Sequence, residues 1–140
     1  MQEMKRFIAL LAVTLFTLSS TAAVAHTDGS RMWDGKKKAT IKVIAQKDMM
    51  SGYNIRIKTK NFKWAPERAS MAHRAGEGHA HIYVDEVKVA RVYGEWFHLS
   101  TANLNLSPGT HVIRVDLNGN DHVPYMVGGK HLEDSVSFTI

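Results

Sequence analysis

Five stretches of this chain place an apolar residue at every second position, and that period of two limits its fold more than any other feature. They are Ile41, Val43 and Ala45; Tyr53, Ile55 and Ile57; Ala80, Ile82 and Val84; Ile113, Val115 and Leu117; and Val136, Phe138 and Ile140. The residues between them are mostly polar, as in Asn54, Arg56 and Lys58 or Ser135, Ser137 and Thr139. Strict alternation of this kind marks a strand with one face in a core. No convincing helical pattern appears after residue 25. Turn signals at Ser51-Gly52, Asp85-Glu86, Ser107-Pro108-Gly109 and Asn118-Gly119-Asn120-Asp121 separate the stretches. The pattern predicts an all-β domain over residues 39–140, an antiparallel immunoglobulin-like or cupredoxin-like sandwich of about seven strands.

The start of the chain reads differently. Lys5 and Arg6 precede an apolar run from Phe7 to Leu18, which is followed by small residues ending Ala23-Val24-Ala25. A basic start, a short apolar centre and an Ala-x-Ala end are the marks of a secretory signal peptide over residues 1–25, and the apolar run is shorter than the ~20 residues of a membrane span. Cleavage near Ala25-His26 would give a periplasmic or secreted protein with no membrane span in the mature chain. Residues 26–38 are polar and aperiodic and predict a flexible N-terminal arm. Removing residues 1–25 takes away two basic residues and one acidic residue, leaving a formal charge of +4 and all eight histidines. The lysines are scattered, apart from Lys36-Lys37-Lys38 in the arm, so the basic balance reads as a solvated surface and not as a nucleic-acid site. Cysteine is absent, which removes disulfides, thiolate ligands and cysteine nucleophiles together.

Chemistry is concentrated in Gly76-Glu77-Gly78-His79-Ala80-His81-Ile82-Tyr83-Val84. The period of two assigns Ala80, Ile82 and Val84 to the core and leaves His79 and His81 on the opposite face, about 7 Å apart along the strand and able to share one ion. Gly76 and Gly78 allow close backbone approach at the entry to this strand. His98, in Trp96-Phe97-His98-Leu99, and His122, after the Asn120-Asp121 turn, are the next candidate ligands. His73 and Met71 in the long loop over residues 67–78, Met126 after His122, and His26 as a new N-terminus add weaker ones. Tyr83, Trp96 and Tyr125 are candidate walls, and Asp121 a candidate to orient a ligand ring. His111 shares the parity of Ile113 and reads as a core-edge residue. Several imidazoles without a thiolate point to copper, with zinc as the alternative, and nearby thioethers favour copper.

The strings Gly-Glu-Gly-His-Ala-His-Ile-Tyr-Val-Asp, Val-Ala-Arg-Val-Tyr-Gly-Glu-Trp-Phe-His-Leu, Ser-Pro-Gly-Thr-His and Asn-Asp-His-Val-Pro resemble a group of small, His-containing periplasmic β-sandwich proteins of largely unknown function. The resemblance implies an envelope location and a sandwich. In layout the chain is also similar to periplasmic copper-carrier and copper-resistance proteins, which implies sequestration or delivery of copper, with another envelope metal-handling protein as partner. Two other readings stay open. One is an exported adhesion or protein-interaction module in which the histidines are incidental. The other is a copper-dependent redox enzyme similar to copper/zinc superoxide dismutase, with His79, His81, His98 and His122 at the matching positions; the chain lacks that family's cysteines and arginine motif.

Overall fold

A computed structural model of the chain describes residues 29–140, so the expected signal peptide and His26 lie outside the described residues. The described chain is all-β, with one 3-10 turn at Pro66–Arg68 and eleven strands. These are β1 (Arg31–Met32), β2 (Thr40–Lys47), β3 (Tyr53–Lys60), β4 (Lys63–Trp64), β5 (Glu77–Val84), β6 (Val87–Val92), β7 (Trp96–Leu99), β8 (Thr110–Asn118), β9 (Tyr125–Val127), β10 (Lys130–His131) and β11 (Glu133–Thr139). Seven of them are four residues or longer, matching the expected number, and five of these, β2, β3, β5, β8 and β11, contain the alternating stretches. The other four are two or three residues long, too short to show a period.

Antiparallel pairing of β2 with β3 and of β3 with β7 builds one sheet. A second runs β11-β8-β5, with β6 along most of the free edge of β5 and β4 at its start. A small third sheet joins β1, β9 and β10. The inward residues of the two main sheets meet in one core: Val43, Ile55 and Ile57 from the first, and Ala80, Ile82, Val84, Ile113, Val115, Leu117 and Phe138 from the second. All are at most 5% exposed. Burying each large aliphatic side chain contributes about 1.5–3 kcal/mol, so this array of β-branched and leucine residues stabilises the fold without disulfides.

Turn chemistry fixes the register. Asp85 and Glu86 both adopt positive φ, 46° and 66°, the geometry of a tight two-residue hairpin turn between β5 and β6. Gly52 closes the β2–β3 hairpin with φ of 73°, where an added Cβ would strike the Leu99 carbonyl.

The arm expected over residues 26–38 is tied down within its described part. β1 pairs in parallel with β9, Trp33 packs edge-on to Tyr125 with ring centroids 4.9 Å apart, and the Trp33 indole N–H donates to the Lys37 carbonyl at 2.8 Å. Only two strand residues are involved, too few for any periodic signal. Among the described residues no helix is long and apolar enough to cross a membrane.

Candidate metal centre

His79 and His81 occupy the outward face of β5, and the structure covers that face. Their side chains lie beside Asn118 and Asp116, the residues directly opposite on β8, and His79 is fully buried while His81 is 5% exposed. The approach of the two strands depends on Gly78, because a Cβ there would overlap the Asn118 carbonyl oxygen. A glycine immediately before the first histidine therefore lets β5 and β8 close together under the imidazoles.

His122 reaches the same point from the loop between β8 and β9. Its backbone adopts φ of 65°, unusual outside glycine, in a turn closed by hydrogen bonds from the His122 N–H to the Gly119 carbonyl at 3.0 Å and from the Gly119 N–H to the Val123 carbonyl at 2.9 Å. Three further ties hold this loop. Arg31 grips Asp121 through two hydrogen bonds of 3.0 and 2.8 Å; the Ser70 N–H donates to the Asn120 carbonyl at 2.8 Å; and Asn120 donates through Nδ2 to the buried carboxylate of Glu77 at 3.0 Å. The ring of His122 is itself bonded through Nε2 to Ser70 Oγ at 2.9 Å.

The result is a triangle of nitrogens. His79 Nε2 lies 3.0 Å from both His81 Nε2 and His122 Nδ1, and the last two are 3.5 Å apart. A neutral imidazole presents either a proton or a lone pair at each nitrogen. One proton can bridge one edge of such a triangle, which leaves lone pairs facing one another across the rest. A single cation does what hydrogen bonding cannot: metal–nitrogen bonds of about 2.0–2.1 Å place the nitrogens of neighbouring ligands roughly 3–3.5 Å apart. The three residues form the metal-competent cluster found among the described residues.

Electrostatics agree with the geometry. Burial, then the neighbouring imidazoles and the cations Arg91 and Lys88, push the pKa of His79 down to about 3. Burial, then Lys88, His122 and Arg91, take His81 to about 4, and burial lowers His122 as well. All three rings are therefore neutral at physiological pH, the form that binds metal. Beyond the three rings, Asp116 Oδ1 stands 3.8 Å from His81 Nδ1. His79 Nδ1 and Asn118 Oδ1, on directly paired residues, are both buried without a hydrogen bond among the described residues. Binding through Nε2 would fix the proton of His79 on Nδ1.

Of the remaining candidates, none joins the triangle. His98 projects from the outward face of the β2-β3-β7 sheet, on the far side of the core, and bonds through Nδ1 to Asn54 Oδ1 at 2.9 Å. Strand parity assigned it to an outward face, and that face belongs to the wrong sheet. His73 is engaged through Nε2 by Asp34 at 2.6 Å and packs near Tyr125. Met126 pairs across the small sheet with Met32 and His131, and Met71 is half exposed in the long loop. His26 lies outside the described residues. Asp121 binds Arg31 instead of a ligand ring. Trp96 is exposed beside Arg56, and Tyr125 belongs to the core. The aromatic ring against the site is Tyr93, 5.8 Å from His79, with Tyr83 6.4 Å from His81. Comparison with known protein families, with curated proteins and with solved structures returned no match.

Proposed function

We propose that this chain is an exported, non-enzymatic metal-binding protein that takes up one copper ion through His79, His81 and His122 and serves in copper sequestration, delivery or resistance in the cell envelope. The observation that carries the reading is the triangle of three buried imidazole nitrogens with sides of 3.0, 3.0 and 3.5 Å. Export is supported by the residues of the first 25 positions, and copper by two arguments. The donor set is all imidazole, and among divalent first-row ions copper binds such sites most tightly. Zinc accepts the same donors and is the competing ion. Thioether donation from Met71 or Met126 is no part of the proposal, since neither joins the cluster.

Three ligands from the protein leave a coordination position open, which suits a carrier that passes its ion to a partner by ligand exchange. The test is calorimetric titration of the metal-free protein with Cu(II), with Cu(I) under reducing conditions and with Zn(II), beside the His79→Ala/His81→Ala double variant. One-to-one binding, tightest for copper and lost in the variant, is the expected result. Weak binding shared equally by both proteins would sink the proposal, and tighter binding of zinc than of either copper ion would reassign the metal.

A further inference from the structure

The three ligands approach their common point from β5 and from the β8–β9 loop, and the β8 flank is filled by Asp116 and Asn118. The other flank belongs to β6. In the β5–β6 register Arg91 stands directly opposite His81 and Lys88 opposite Tyr83. Residues paired in this way project to the same side of a sheet, so both cations share the outward face that carries the histidines. Both are exposed, and neither has an ion-pair partner among the described residues. Arg91 donates to the Tyr93 hydroxyl at 3.2 Å, and the Tyr93 ring lies against His79, which places the guanidinium at the edge of the cluster.

The nearby acids are engaged by other partners, and only Asp116 also approaches the cluster, its Oδ1 3.8 Å from His81 Nδ1. Asp116 accepts from Asn118 Nδ2 at 2.6 Å and pairs with Arg114 at 3.4 Å, while Asp121 is taken by Arg31. A metal ion here would thus sit among neutral imidazoles, with Asp116 behind His81 and two cations without ion-pair partners on the β6 flank. Such a setting repels a further cation, does little for a neutral ligand and attracts an anion. We infer that the open position on the metal takes a small monovalent anion, steered and held by Arg91 and Lys88. This inference rests on the metal-binding reading above.

Azide titration of the Cu(II)-loaded protein, followed by the azide-to-copper charge-transfer absorption, tests it at low and high ionic strength. The wild type is expected to bind azide more weakly as salt rises, and Lys88→Gln/Arg91→Gln to bind it about tenfold more weakly with little salt dependence. Copper affinity should stay the same or increase in that variant, because two repulsive charges are gone. Arg91→Glu should weaken azide binding further than Arg91→Gln. Equal azide affinity in wild type and the double variant, or no azide complex on a copper-loaded wild type, would overturn the inference while leaving the metal site standing. A wild type that takes up no copper would instead overturn the metal-site reading and this inference with it.

Discussion

The two ends of the β5–β8 strand pair each bury histidine, and they use it in opposite ways. At one end His79 and His81 face Asn118 and Asp116, with His122 folded over them. At the other, His111 is 8% exposed, and both of its ring nitrogens meet oxygen: Nδ1 lies 2.6 Å from Asp85 Oδ2 and Nε2 lies 2.8 Å from the Ser107 carbonyl. The hydrogen bond to Asp85, and then that to Ser107, raise the pKa of His111, whereas burial lowers those of the cluster. Burial is common to both ends. What separates a candidate ligand from a structural residue is what its nitrogens face: a ring whose two nitrogens both meet oxygen acceptors has no lone pair free to give, and a crowd of neutral rings has several with no proton to share.

The comparison is most directly broken by exchanging the ends. His122→Ala should weaken metal binding by more than about a hundredfold, beyond the 10–100-fold usual for loss of a supporting residue. His111→Ala should leave metal binding unchanged and lower the melting temperature, because it removes the side-chain hydrogen bonds to Asp85 and to the Ser107 carbonyl. Calorimetry and thermal melts on the two variants decide it; a His111→Ala protein that loses its metal would erase the distinction. Next in size is Gly78→Ala. A methyl group at the contact with the Asn118 carbonyl must force β5 and β8 apart, so the variant should lose about 2–3 kcal/mol of stability in denaturant titration together with metal affinity. Full retention of both would show that the close approach is not what builds the site.

A smaller effect is expected from Ser70→Ala, which removes the hydrogen bond to His122 Nε2 while leaving the Ser70 backbone tie to Asn120 in place. Metal affinity should fall about tenfold, as for other supporting contacts to ligand rings, with little change in the melting temperature. A variant that binds metal as tightly as the wild type would show that the loop backbone alone orients His122. Asp85→Asn makes the matching change at the other end and should alter the titration of His111 without touching the metal.

How much of this was legible before the fold was known varies with the range of the signal. Parity along one strand carries its information locally, so it assigned the core residues of β2, β3, β5, β8 and β11 and set His79 and His81 side by side. It cannot tell which sheet an outward face belongs to, and His98 was misplaced for that reason. The closure of His122 over the pair depends on Ser70, Asn120 and Arg31, contacts made across tens of residues with no local pattern. Along the chain, Val115 and Leu117 say only that Asp116 faces away from the core, not that this face is covered, and Asp116 is 6% exposed. Tyr93 was hidden likewise, since its place beside His79 follows from the β5–β6 register, which a bulge between Ile82 and Tyr83 shifts by one residue.

The finest contrast between the two ends is in their response to pH. In the metal-free protein the unfolded chain takes up protons at His79 and His81 near the ordinary value of 6.5, while the folded cluster refuses them until pH is about 3 and about 4. The unfolded state therefore binds more protons through that window, and the cluster end loses stability as pH falls from 6.5 towards 4. His111 behaves in the reverse sense. Its folded pKa is raised, so its pairing with Asp85 is fully present below 6.5 and is lost as pH rises through the raised value. Denaturant titrations of the metal-free wild type should show stability climbing from pH 4.5 to 6.5 and easing slightly above. His79→Ala/His81→Ala should flatten the acid limb alone, and His111→Ala the alkaline easing alone. If the double histidine variant kept the whole acid limb, the protons responsible would belong to other groups, and the two ends would not differ in the way their hydrogen bonds indicate.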